Sequence, residues 1–98
     1  MAFEIEWTKR ADREFDNIIE YLSKEWNYSV KNNFIESFYN KLDLISLFPE
    51  IGVSISKEKR IRGILVTEHI RIYYRIKNKK IILITLFDTR QDPIRLNI

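Results

Sequence analysis

At 98 residues, with 17 Lys and Arg against 14 Asp and Glu, a net charge of +3 and no cysteine, the chain is long enough for a single small domain over residues 1–98. The missing cysteines exclude a disulfide framework and thiolate metal or redox chemistry, and His69 cannot build a zinc site by itself. The N-terminus MAFEIEWTKR lacks the apolar core of a signal peptide, and no apolar run approaches the roughly 20 residues that span a bilayer. The expectation is a cytoplasmic protein with no membrane association and no cofactor.

Phe3, Ile5 and Trp7 alternate with Glu4 and Glu6, which predicts a short first strand. Thr8 is then placed to cap a helix, since its hydroxyl can accept from an amide that has no partner within the first turn. Ala11, Phe15, Ile18, Ile19, Leu22 and Trp26 follow with helical spacing, Trp26 being expected in the core or between helices. The carboxylates of this segment fall to its wet side. After Asn27 and Tyr28, Ser29 offers a second cap, and Val30, Phe34, Ile35, Phe38, Leu42 and Ile45 form another apolar stripe that ends before Pro49 and Gly52. Helices joined by so short a link run antiparallel.

Residues 53–60, VSISKEKR, read as a polar connection. Three strands are predicted after it, about Ile61 to Val66, Ile70 to Lys77 and Ile81 to Asp88, with Asn78 and Lys79 as the tight turn between the last two. The last of them is apolar on both faces, so it should lie inside the sheet under a second cover, supplied by Ile94, Leu96 and Ile98 or by a partner. The fold class is α+β: an N-terminal strand, a helical hairpin, then three antiparallel strands in one sheet packed on the hairpin.

Charge divides the chain. Residues 1–50 carry 6 Lys and Arg against 10 Asp and Glu, whereas residues 51–98 carry 11 against 4, or −4 and +7. A basic half of this kind suits nucleic acid or an acidic protein. In the strand from Ile70, period-two alternation puts Ile70, Ile72, Tyr74 and Ile76 on one face and Arg71, Tyr73, Arg75 and Lys77 on the other. Arg62, Arg71, Arg75 and Arg90 can hold phosphate or carboxylate in a bidentate fork, and Tyr73 can stack on a base. Lys59 adds charge. Asp88 and Arg90 close the last strand, either as a terminating salt bridge or as a pair at the mouth of a site; Tyr74 reads as core and His69 as a turn residue. No phosphate loop, HExxH motif or clear nucleophile with its base is present.

Three strings carry a resemblance: Ile18 to Leu22 followed by Trp26, with Leu44 to Gly52 after it; Arg71-Ile72-Tyr73-Tyr74-Arg75; and Asp88-Thr89-Arg90-Gln91-Asp92-Pro93. In their order along the whole chain they resemble the RelE/ParE superfamily of toxins from bacterial type II toxin-antitoxin modules. The middle string is similar to the superfamily's R-x-x-Y strand. The resemblance implies an acidic antitoxin as partner, and a cellular target that differs by branch. RelE-like members are ribosome-dependent mRNA endoribonucleases that add a Glu, His or C-terminal Tyr to basic residues on the sheet; ParE-like members inhibit DNA gyrase by binding. Here Asp88 stands where His is often found and no Tyr follows Tyr74, which favours the ParE branch. A ribonuclease, with Arg71, Arg62 and Lys59 on phosphate, and an inactive chain that only binds its antitoxin remain the alternatives.

Overall fold

The computed structural model describes residues 2–98. Strand β1 (Glu4–Trp7) leads into helix α1 (Lys9–Glu25), the link Trp26–Asn27 into helix α2 (Tyr28–Leu47), and a 3-10 turn (Pro49–Ile51) into β2 (Val53–Ser56), β3 (Ile61–Leu65), β4 (Ile70–Lys77) and β5 (Lys80–Asp88). A second 3-10 turn, Pro93–Arg95, begins the tail. The strands form one five-stranded sheet in the order β1-β5-β4-β3-β2, with β1 parallel to β5 and every other pair antiparallel. β5 is therefore interior, as its apolar faces require. The α+β class and the helical hairpin stand as expected.

Local chemistry accounts for the element ends. Thr8 caps α1 by accepting from the Ala11 amide at 3.1 Å, while its hydroxyl donates to the Leu83 carbonyl at 2.7 Å. The cap of α2 is Asn27, which accepts from Val30 N at 3.0 Å, and not Ser29; the helix starts earlier than the serine suggested. Asn78 and Lys79 both adopt positive φ, 49° and 61°, as the tight β4–β5 turn demands.

Two further readings are corrected. Val53–Ser56 is an edge strand on β3 and not part of a polar connection. It is mostly exposed, so it has no buried stripe to announce it in sequence. Trp26 is 56% exposed at the tip of the hairpin, because the chain turns there before the ring can reach the sheet.

The main core lies between the helices and one sheet face, built from Phe34, Phe38, Leu42 and Ile45 of α2 against Ile72, Tyr74, Ile81 and Leu83. Phe15 joins it edge-on to Trp7, with ring centres 5.4 Å apart. On the opposite face Ile61, Tyr73 and Phe87 form a smaller cluster covered by Ile84, Leu96 and Ile98. The tail is thus the second cover of β5, although Ile94 is 81% exposed and takes no part. Among the described residues no helix is long and apolar enough to cross a membrane.

Candidate functional site

Tyr73 pairs with Thr85 and Tyr74 with Leu83, leaving Ile84 as an extra residue that bulges β5. Beyond the bulge β5 has no strand neighbour on its outer side, since β1 ends at Trp7 opposite Leu83. Glu14 of α1 takes over that edge. Its Oε1 accepts from Leu86 N at 3.2 Å and from the Thr85 hydroxyl at 2.7 Å, so a carboxylate replaces the missing strand carbonyl. One turn earlier on the helix, Arg10 lies 3.6 Å from Glu14 Oε2 and donates to the carbonyls of Leu96 at 2.7 Å and Asn97 at 3.2 Å. In sequence Glu14 falls with the other carboxylates on the wet side of α1, and its pairing with Arg10 goes unread. The available signal was its i,i+4 spacing, which many exposed helix pairs share.

The basic residues singled out in sequence do not converge on one point. Gly63 of β3 pairs with Tyr73, and a Cβ there would lie 3.1 Å from the Tyr73 ring and 3.2 Å from Arg71 Cδ. An added methyl would press on both side chains, so glycine gives them room to lie over β3 together. Arg71 is half-buried, and its guanidinium enters none of the hydrogen bonds or ion pairs among the described residues. Tyr73 is 5% exposed, packed edge-on against Phe87 at 6.5 Å and under the tail. It is not the open stacking platform its alternation suggested, because the tail adds a layer that strand periodicity cannot reveal.

Arg62 points to the other side of β3, where it donates to the carbonyls of Glu50 at 3.1 Å and Gly52 at 2.7 Å and so pins the 3-10 turn. Arg75 is exposed and donates through Nε to the Lys59 carbonyl at 3.1 Å, tying the β2–β3 turn to β4. Asp88 sits across from Ile70, at the Arg71 end of β4. Arg71 and Arg75 stand four strand steps apart, roughly 13 Å. The candidates therefore split into Arg71 with Asp88 and Arg90 at one end, and Arg75 with Lys59 at the other.

Asp88 is engaged by Arg90 through three hydrogen bonds, from the backbone N at 2.9 Å, Nε at 3.0 Å and Nη2 at 2.7 Å. Those donors hold the carboxyl below its ordinary range and raise Arg90 in turn. Such a carboxylate is a poor proton donor near neutrality. Tyr74, fully buried, is pushed above the usual phenol value by desolvation. Its hydroxyl donates to the Pro49 carbonyl at 2.6 Å and accepts from Gly52 N at 3.0 Å, a structural role. No cluster of His, Cys, Asp or Glu among the described residues could hold a metal.

The same architecture occurs in solved structures. A chain of the chromosomal ParDE TA system from P. aeruginosa superposes with a TM-score of 0.69 at 14% identity, covering 89% of this chain and 96% of that one. The YoeB/ParE toxin from Agrobacterium tumefaciens gives 0.65 at 11%, covering 87% and 96%. The isolated E. coli RelE toxin gives 0.64 at 15%, covering 97% and 93%. At such identities the likeness concerns the fold. No curated protein sequence matches the chain significantly. The family match comes from the sequence itself: residues 5–93 fit the family described as the ParE toxin of the type II toxin-antitoxin system, parDE. That span includes both helices and all five strands apart from the first residue of β1. The chain therefore belongs to the ParE toxin family within the RelE/ParE superfamily, as the toxin of a type II toxin-antitoxin module.

Proposed function

We propose that this toxin acts in the cytoplasm by binding and poisoning DNA gyrase, and that an acidic antitoxin holds it in check. The observation that carries the reading is the match to the ParE family over residues 5–93. The chemistry around Arg71 supports it. A general acid or base must sit within hydrogen-bond reach of the atom it serves and keep a pKa suited to its task. Asp88 is committed to Arg90, and Tyr73 lies under Leu96 and Ile98. What Arg71 offers is an anchoring cation on a rigid strand, suited to a carboxylate or phosphate of a target.

Induction of the wild-type toxin in cells is the test. Gyrase poisoning raises DNA-damage signalling, and purified toxin with gyrase and plasmid accumulates cleaved DNA. Prompt cleavage of mRNA on isolated ribosomes, with gyrase unaffected, would overturn the reading in favour of a ribosome-dependent endoribonuclease.

A further inference from the structure

One end of the molecule combines an apolar floor with a basic rim. Phe3 N donates to the Ser46 carbonyl at 2.9 Å, and the Ser46 hydroxyl returns a bond to the Phe3 carbonyl, so the start of β1 is fastened to the last turn of α2. Between this junction and β4, Phe3, Leu44, Leu47, Phe48, Ile51 and Ile76 line an open groove of about 720 Å³. Leu47 is 59% exposed, Phe48 60% and Ile51 45%. The core does not account for them. The stripe of α2 that faces the sheet is Phe34, Phe38, Leu42 and Ile45, and Leu47 lies off it. Large apolar side chains gathered at one exposed spot mark a contact surface more than scattered ones do.

Next to the groove, and sharing Glu50 and Ile76 with it, is a smaller cleft of about 250 Å³ lined by Ser54, Lys57, Arg60 and Arg62. The β2–β3 and β4–β5 turns both close this end of the sheet. These turns and the strand ends beside them expose Lys57, Lys59, Arg60, Lys77, Lys79 and Lys80, against Glu58 in the first turn, Glu50 at the groove and Glu6, which lies 3.8 Å from Lys80. A nucleic-acid backbone could neutralise those cations but would leave Leu47, Phe48 and Ile51 facing water. A peptide with apolar and acidic side chains meets both demands at once.

We propose that this groove seats an amphipathic acidic segment of a protein partner, its apolar side chains on Leu47, Phe48 and Ile51 and its carboxylates against the two basic turns. On the functional reading above, which this inference rests on, the segment belongs to the antitoxin. Opposite charge speeds encounter, while the apolar floor governs how long the complex lasts.

The test titrates the purified product of the reading frame beside the toxin's into four toxin proteins by calorimetry and stopped-flow. They are wild type, Leu47→Gln with Phe48→Ser, Lys57→Glu with Lys77→Glu, and Tyr28→Gln, an exposed aromatic at the far end of α2. The apolar pair should weaken binding at least about tenfold, chiefly through faster dissociation. The charge-reversed pair should slow association and flatten its salt dependence. Tyr28→Gln should match wild type, and circular dichroism melts check that every variant is folded. Wild-type affinity in the apolar pair would overturn the groove while leaving the toxin-antitoxin reading intact. Failure of the wild type to bind would sink the antitoxin reading and the groove with it. A labelled DNA duplex that binds wild type and is lost on charge reversal, while the antitoxin is indifferent to all variants, would make this end a nucleic-acid surface instead.

Discussion

Tyr74 and Gly52 are matched to one another across the sheet and the turn that precedes it. The tyrosine hydroxyl accepts from Gly52 N at 3.0 Å, and a Cβ on Gly52 would fall 2.6 Å from that same oxygen. Gly52 has ordinary negative φ, so what requires glycine is the close approach and not the backbone angle. Tyr74→Phe removes one buried donor and one acceptor and should cost roughly 1–3 kcal/mol in a denaturant melt. Gly52→Ala should also destabilise. The double variant should lose less than the sum of the two, because the oxygen that the new methyl strikes has gone; strict additivity in a double-mutant cycle would contradict the contact.

Tyr74 also gives the protein an alkaline limit. Its folded pKa is raised above the unfolded value near 10.0, mainly by burial. Above that value the unfolded chain releases the proton first and is favoured, so stability falls as pH rises from about 10. In Tyr74→Phe that part of the decline should be absent, which urea melts between pH 9 and 11 measure as a shallower slope.

The opposite sign applies to Asp88. Its folded pKa lies below the unfolded value, chiefly through the Arg90 hydrogen bonds. The contribution is present above about pH 4 and is lost as pH falls through the folded pKa. Asp88→Asn should lower stability at neutral pH modestly, the pair being partly open to solvent, and should reduce the loss between pH 4 and 2. An unchanged acid profile would mean that the ion pair is not maintained in solution.

Glu14 should behave as part of the sheet and Glu20 as surface, although both are carboxylates on α1. Glu14→Ala strands Leu86 N and the Thr85 hydroxyl and should cost about 1–3 kcal/mol; Glu14→Gln keeps an acceptor oxygen and should cost less. Glu20→Ala removes only the exposed pair with Lys24, worth under about 1 kcal/mol. Leu42→Ala, in the main core at 5% exposure, should exceed both at about 2–5 kcal/mol. Thermal melts that rank Glu20 above Leu42 would reverse the assignment of the helix faces.

Arg71 and Arg62 should part company in function and in stability. Arg71→Ala should reduce growth inhibition with little change in melting temperature, and Arg71→Lys should rescue poorly if the planar fork is used. Arg62→Ala frees the carbonyls of Glu50 and Gly52 and should lower the melting temperature. Equal losses of stability from the two would remove the case for Arg71 as a target contact.

Periodicity and punctuation were sufficient for much of this protein. Helical spacing in α1 and α2, the Thr8 cap, the Asn78-Lys79 turn, the limits of β4 and the interior place of β5 all follow from interactions within a few residues, or from one element's need to bury a face. The order of strings along the chain was enough for its superfamily. What sequence could not decide depends on groups far apart in the chain. Leu96 and Ile98 fold back over Tyr73, and Arg10 reaches the carbonyls of Leu96 and Asn97 across more than 80 positions. Glu14 resembles any solvated helix carboxylate until the bulge at Ile84 and the early end of β1 leave β5 with an edge to fill. Arg62 and Arg75 have the right charge, but the carbonyls of Glu50, Gly52 and Lys59 that engage them are supplied only by tertiary packing, whereas the Asp88 carboxylate on Arg90 lies two residues away and was open to a reading from sequence. A charge is written in the sequence; whether it is spent on the fold or left for a partner is settled by what the fold brings within about 3 Å of it.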